Sequence, residues 1–421
     1  MNQGASFSAN CAYFCAFGAA VASLFSIAVC HTLLALSVAA LLFSPLRLRL
    51  PFFWKPLAAF MVWTVVSVAA SASPADGRAQ LRKFYVYLLV LVLFSALPGL
   101  VAARRLLLIL AGIGIASGLK GLFQFQQKSE LARMQGMDFY QFYVGDRITG
   151  FMSHWMTFAG EMMIVLLVLG AFLFFSRRPV RALPAWLAGG AIVGAAIVLG
   201  FTRSIWAATA AGALYLLWFW RRWTVLILPV VAAAAFFLAP EPVRERIRSA
   251  YRPDQRLDSN LHRDVLRRVG WRMILDHPLT GVGPEHVERR LPSYVPSEVR
   301  PLFRDWWYGH LHNIYVHYAA ERGLPALAAL LSFFGMLLTS FIRALRRLPA
   351  GPGDERFILH AALAVTLGIL VCGWWELNLG DSEVLTAFLA VVTCGAIAAE
   401  AAPLPVADSP APEQIRAGHA A

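Results

Sequence analysis

Residues 153–176 read SHWMTFAGEMMIVLLVLGAFLFFS, and Arg177, Arg178 and Arg181 follow at once. About 20 apolar residues let a helix cross roughly 30 Å of hydrocarbon. This stretch has that length and carries one acid, Glu161. A basic cluster just beyond a span holds a short loop in the cytoplasm. The segment and its flank therefore predict a membrane span and its direction together.

Outward from it the pattern repeats at 11–29, 31–45, 56–72, 82–98, 104–124, 183–201, 204–220, 223–240, 314–342, 357–376 and 383–400, so about twelve transmembrane helices are expected. The stretch Cys11–Pro45 reads as either one span or two. Of 421 residues, 59% are hydrophobic and 14% charged, against about a quarter charged in soluble domains. A soluble globular enzyme is excluded. The 13 Trp and 11 Tyr suit rings seated at headgroup depth.

Net charge is +13, which first points to inside-facing loops. Basic residues cluster at Arg47, Arg49 and Lys55, at Arg104 and Arg105, and at Arg177, Arg178 and Arg181. Further clusters are Arg221 and Arg222, then Arg343, Arg346, Arg347 and Arg356. All fall on alternate connections, which places both termini in the cytoplasm; Arg78, Arg82 and Lys83 run against the rule. The N-terminus has no basic n-region and is not read as a cleavable signal peptide. The five cysteines lie in or beside apolar stretches and form neither a disulfide framework nor a zinc pattern.

The expected organisation is all-α and polytopic. Residues 1–239 supply transmembrane helices one to nine, 240–310 a periplasmic loop domain of short helices, 311–400 the last three spans, and 401–421 a flexible cytoplasmic tail. Lys120 and Glu161 are the main charges inside spans, both within snorkelling distance of an outer edge. The spans lack the paired Gly/Pro breaks of an inverted-repeat transporter.

The insert holds 13 arginines between Pro240 and Tyr308 and no lysine. Guanidinium favours bidentate binding of phosphate or carboxylate. For most of them the preferred reading is a solvated surface balanced by ten Asp and Glu in the same stretch. LHRDVLRRVGWRMILD (261–276) predicts a helix with Leu261, Val265, Val269 and Met273 on one apolar stripe. On neighbouring faces lie Arg263 with Arg267 and Arg268 with Arg272. HPLTGVGP (277–284) then reads as a glycine turn, and its GxG follows a helix, unlike a nucleotide site.

Three features rise above that background. Arg203 in TRSIW and Arg147 in GDRITGFMSHW both stand at the outer ends of spans, as interfacial anchors or as cavity lining. In GHLHNIYVHYAAERG (309–323), His310, His312, Asn313 and Tyr315 crowd a helix start and His317 follows a turn later. An imidazole at a helix start is kept neutral by the dipole and can accept a proton; capping and interfacial hydrogen bonds are the structural alternatives. The HxH pair also admits a metal, but no third ligand follows at fixed spacing. Asp381 and Glu383, with Glu376 nearby, are the only acids placed to hold a divalent ion, and no DxD triad is present. The expectation is no metal and no cofactor.

Arginines and a basic histidine on the outer face, where ATP is not available, fit an activated lipid diphosphate-linked sugar as donor. The leaving diphosphate gains charge as the glycosidic bond breaks, and guanidinium groups stabilise that charge in the transition state.

With these motifs the chain resembles the O-antigen ligase and polymerase superfamily, and within it the lipopolysaccharide O-antigen ligases (WaaL type). TRSIW resembles the family's arginine at the outer end of a mid-chain helix, and RRVGW (267–271) with HPLTGVGP its Arg–Trp–HP–GxG run. His310-Leu-His312-Asn313 followed by ERGLP (321–325) resembles its H-x-H-N…G signature.

The resemblance implies a GT-C-like glycosyltransferase in the bacterial inner membrane with a periplasmic active site. It would move O-antigen from undecaprenyl diphosphate to lipid A-core, with inversion and without metal or ATP. His312 would activate or position the acceptor; Arg203 and Arg267 would hold the diphosphate. Arg147, Arg263, Arg268, His310, Asn313 and Tyr315 would bind substrate or support. The implied partners are lipid-linked O-antigen, lipid A-core and membrane lipids, with no nucleic acid, and the chain would act as a monomer. An O-antigen polymerase or a protein O-oligosaccharyltransferase would use the same donor, and a lipid-linked oligosaccharide flippase would also need arginines in a cavity.

Overall fold

The computed structural model describes residues 3–177, 180–226, 229–230, 233, 236–237, 239–249, 259–298 and 309–403. Among these residues every regular element is helical. The first group is α1 (Gln3–Ala22), α2 (Ile27–Leu42), α3 (Trp54–Ala70), α4 (Arg78–Arg82), α5 (Phe84–Ala96) and α6 (Leu100–Met134). Then come α7 (Phe139–Gly145), α8 (Trp155–Phe175), α9 (Leu183–Leu199) and α10 (Arg203–Trp220). The insert contributes α11 (Glu241–Arg248), α12 (Ser259–Asp276) and α13 (Val287–Tyr294). The chain finishes with α14 (Ile314–Arg322), α15 (Leu324–Arg347), α16 (Asp354–Cys372) and α17 (Ser382–Ala401).

Six helices are long and apolar enough to cross a membrane: Arg78–Ala96, Leu100–Met134, Trp155–Phe175, Leu324–Arg347, Asp354–Cys372 and Ser382–Ala401. Shorter apolar helices accompany them at Phe7–Ala22, Ile27–Leu42, Trp54–Ala70 and Leu183–Leu199. The architecture is that of a polytopic membrane protein. Helices α8, α16 and α17 are apolar on every face and largely buried, as helices at the centre of a bundle are. Their neighbours leave rings and branched side chains such as Phe123, Val62 and Leu331 exposed on the outside.

Several expectations change in detail. Cys11–Pro45 forms two helices, α1 and α2, divided by a turn at 23–26 and tied where Ser37 Oγ donates to the Ala12 carbonyl at 2.8 Å. The span expected to end at 124 runs on to Met134; at 1.5 Å per residue α6 is roughly 52 Å long, well beyond the hydrocarbon thickness. Glu161 does not snorkel: it is fully buried in α8. Residues 227–228, 231–232, 234–235 and 238 of the expected span 223–240, and the tail beyond residue 403, lie outside the described residues.

The basic connections meet at one end of the bundle. Arg104 Nε pairs with Asp354 Oδ1 at 3.0 Å, Arg177 Nε donates to the Pro352 carbonyl at 3.1 Å, and Arg49 pairs with Glu400. The insert sits at the other end with a small core of its own. Val265, Val269 and Met273 of α12 bury against Val287, Leu291 and Leu311, as their four-residue spacing predicts; the side chain of Leu261 lies outside the described residues.

The glycine turn docks this insert on the bundle. Val282 N donates to the Ala320 carbonyl at 2.8 Å, Gly283 N to the Glu321 carbonyl at 3.0 Å, and Leu324 N to the Pro278 carbonyl at 2.8 Å. From α3, Trp63 Nε1 donates to the Leu279 carbonyl at 3.0 Å and Ser67 Oγ to the Thr280 carbonyl at 2.6 Å. So close an approach demands Gly323, where φ is +84° and an added Cβ would lie 1.8 Å from the Leu279 oxygen. The backbone conformation alone, φ +84° with ψ +169°, penalises Gly323→Ala by about 1–3 kcal/mol, before the clash. We expect this variant to lower the melting temperature of the detergent-solubilised protein by several degrees; an unchanged value would contradict the docking.

Candidate active site

Each element of the site is held by backbone. The segment preceding α14 is stitched to the loop that follows α16. Asn313 caps α14, its Oδ1 accepting from Tyr315 N at 3.0 Å and Val316 N at 2.9 Å. Its Nδ2 donates to the Trp374 carbonyl at 2.9 Å, and Ile314 N donates to the Gly373 carbonyl at 2.8 Å. Tyr315 Oη donates to the Leu370 carbonyl at 2.6 Å. These bonds set His312 opposite Glu376.

His312 has φ +48°, in the left-handed region that residues with a Cβ rarely adopt. Its backbone N donates to His310 Nδ1 at 3.2 Å, so the first histidine of the pair acts as a hydrogen-bond acceptor for the second. Burial, with smaller contributions from the neighbouring His312 and His317, holds the His310 imidazole down to about 3. A neutral ring is what accepting from an N–H requires.

Glu376 is 2% exposed, yet three elements converge on its carboxylate. Arg263 Nη2 of α12 pairs with Oε1 at 2.6 Å, Ser204 Oγ of α10 donates to Oε1 at 3.1 Å, and His312 Nδ1 lies 3.2 Å from Oε2. Burial pushes this carboxyl up; the His312 hydrogen bond and the Arg263 charge outweigh it and leave it below the ordinary carboxylate range. An ionised carboxylate only accepts, so His312 Nδ1 carries the shared proton and donates it to Oε2.

A second group of cations gathers at the start of α10. Phe201, at φ +51°, offers its carbonyl to Arg246 Nε at 2.9 Å and Arg147 Nη1 at 3.5 Å. Both arginines are under a tenth exposed, and among the described residues neither pairs with a carboxylate. Burial, then the Arg246 charge, pulls the Arg147 guanidinium down to about 9, where it still carries charge at neutral pH. Arg147 is aimed by Tyr143, whose hydroxyl bonds both the Leu199 carbonyl (2.6 Å) and Ile148 N (3.3 Å). Arg203 opens α10 beside them, one residue before Ser204. Two buried like charges with no carboxylate partner among the described residues are poised for an anion.

The structure thus brings Arg263 and His312 onto Glu376, with His310 against His312 and Asn313 on the neighbouring Trp374 carbonyl; Arg203 opens α10 next to Ser204, which reaches Glu376, and Arg147 meets the Phe201 carbonyl just before it. It does not bring Arg267 and Arg268 there. Both are exposed on the outer side of α12 and pair with Asp264, at 3.9 and 2.7 Å. Of the two arginines one turn apart on that face, Arg263 reaches inward. Tyr315 braces α14 against α16. The sequence gives no reason to single out Arg246 among the insert arginines, and it offers Glu376 only as a metal holder; an acid in the short connection between two spans is the signal it carries. Asp381 instead accepts from Thr157, and among the described residues no group of three His, Cys, Asp or Glu side chains is arranged to hold a metal ion.

The His310 environment makes a prediction with a fixed sign. An unfolded imidazole protonates near 6.5 and the folded one only near 3, so between these values the unfolded chain binds the extra proton and stability falls as pH falls. The melting temperature should decline over this window, and His310→Gln should flatten the decline; equal slopes would contradict the buried neutral ring.

No curated protein matches the chain. Residues 188–331, from within α9 to within α15, match the family model described as O-antigen ligase, and so include Arg203, Arg246, Arg263 and both histidines of the HxH pair. Over that stretch the chain is similar to the O-antigen ligase family.

Proposed function

We propose that this protein is a GT-C-like, inverting glycosyltransferase of the lipopolysaccharide O-antigen ligase type, in the bacterial inner membrane. It moves an O-antigen chain from undecaprenyl diphosphate to a sugar hydroxyl of lipid A-core on the periplasmic face. Both termini are cytoplasmic, about twelve helices span the bilayer, and 240–310 roofs the reaction. The basic loops gathered at the opposite end from the insert support this orientation.

The observation that carries the reading is the His312–Glu376–Arg263 arrangement beside Arg147 and Arg246, two buried arginines that share the Phe201 carbonyl and pair with no carboxylate among the described residues. Glu376 fixes the ring and its tautomer, which leaves Nε2 to take the proton of the acceptor hydroxyl. The hydroxyl oxygen bonds to the anomeric carbon as the bond from that carbon to the diphosphate oxygen breaks. The electron pair of that bond leaves with undecaprenyl diphosphate, whose growing charge meets Arg147, Arg203 and Arg246. Guanidinium groups supply here the stabilisation that other enzymes draw from a divalent ion, so transfer proceeds without metal. Arg263 keeps Glu376 ionised. Arg267 and Arg268, on the outer face of α12, meet the anionic headgroups of incoming lipids.

Purified protein given lipid-linked O-antigen and rough lipopolysaccharide should form the ligated product with or without chelator. His312→Ala should lower transfer at least about a hundredfold while the protein remains folded, and Arg203→Lys should fail because a point charge does not replace the fork. Normal transfer by the histidine variant would overturn its role, and extension of the donor alone would make the protein a polymerase.

A further inference from the structure

A chamber of about 350 Å3 is lined by His310 and His317 but by neither His312 nor Glu376, and its volume falls within the range of about 300–1,000 Å3 usual for small-molecule sites. It lies among α3, α4, α5, α14, the starts of α13 and α17, and the loop at 377–381. The rings of His310 and His312 are 4.1 Å apart, so the chamber adjoins the proposed base. None of Arg147, Arg203, Arg246 or Arg263 lines it.

Its chemistry differs from that of the arginine cluster. Glu285, Glu288, Glu321 and Asp381 outnumber Lys83 and Arg322. Both cations are already engaged, Lys83 Nζ with the Gly380 carbonyl at 3.0 Å and Arg322 Nη1 with Glu321 Oε2 at 2.7 Å. A phosphate would be repelled there. Gln80 bridges Arg322 (2.8 Å) and Glu285, and half-buried Phe84 and Tyr87 stand at an angle to each other on one wall. His317 lines the chamber at 6% exposure, and its Nδ1 has no partner among the described residues. Carboxylates and an amide for hydroxyl groups, with rings for the apolar face of a pyranose, are the elements of a carbohydrate site.

We infer that this chamber is the acceptor subsite, taking a hydroxyl-rich, uncharged saccharide unit through Gln80, Glu285 and Glu288 and presenting one hydroxyl past His310 to His312. The inference rests on the proposed transfer reaction. Inversion requires nucleophile and leaving group on opposite faces of the anomeric carbon, and the chamber shares His310 with the histidine pair and no residue with the arginine cluster, so acceptor and diphosphate would have separate sites.

The test uses the full chain in lipid nanodiscs and core oligosaccharide released from rough lipopolysaccharide and dephosphorylated. Binding of this probe is measured directly, apart from transfer, for wild type, Glu288→Ala and Gln80→Leu; Glu288 is exposed, so its removal leaves packing intact. Loss of one charge-assisted hydrogen bond should weaken probe binding about tenfold or more, and raise the acceptor KM with little change in kcat or in the affinity for lipid-linked donor. Unchanged probe binding in both variants, or a parallel loss of donor affinity, would overturn the assignment. If wild type binds the probe and the variants do not, yet no transfer occurs, the chamber stands as a saccharide site and the transfer reading fails.

Discussion

A carboxylate buried to 2% exposure in a membrane protein is tolerable only when its charge is met on every side, and Glu376 organises the outer end of this molecule for that reason. Arg263 comes from the insert, Ser204 from the start of α10, and His312 from the turn into α14. Three separately folded segments must arrive for one charge to be satisfied. Removing a partner from such a pair costs about 3–5 kcal/mol, so the same interaction that orients the histidine also fastens the insert over the bundle.

The rest of the architecture delivers those segments. The glycine turn at 277–284 hangs α12 on α3 and on the α14–α15 junction, which decides that Arg263 faces inward while Arg267 and Arg268 face water. Asn313 performs two tasks, capping α14 and gripping the loop that bears Glu376. Strain is concentrated where reactants would meet: Phe201 and His312 both hold left-handed backbone. One carries the carbonyl shared by two buried arginines, the other the candidate base. Such conformations persist only where surrounding contacts over-determine them.

Much of the fold was legible because the bilayer imposes a length and a polarity on each span, and those constraints act locally along the chain. Residues 153–176 and 383–400 needed no tertiary information. The overlong α6 and the division of Cys11–Pro45 were harder, since polar residues at a helix end do not say whether the helix stops or continues into water. At the site, His312 and Arg203 stood out as polar groups at span ends. Arg246 was one of thirteen insert arginines, and only tertiary packing separates a buried guanidinium from a solvated one. The choice of Arg263 over Arg267 depends on the rotation of α12, which the docked turn sets and the helical period leaves open.

The central claim is spatial: diphosphate at the arginine cluster, acceptor in the separate chamber that shares His310 with the histidine pair. Cryo-electron microscopy of the chain bound to its lipid-linked donor tests it most directly. The account predicts diphosphate density within hydrogen-bonding reach of Arg147, Arg203 and Arg246, with the first sugar toward His312 Nε2. Diphosphate seated instead at the opposite end of the bundle, among Arg104, Arg177 and Arg356, would contradict it.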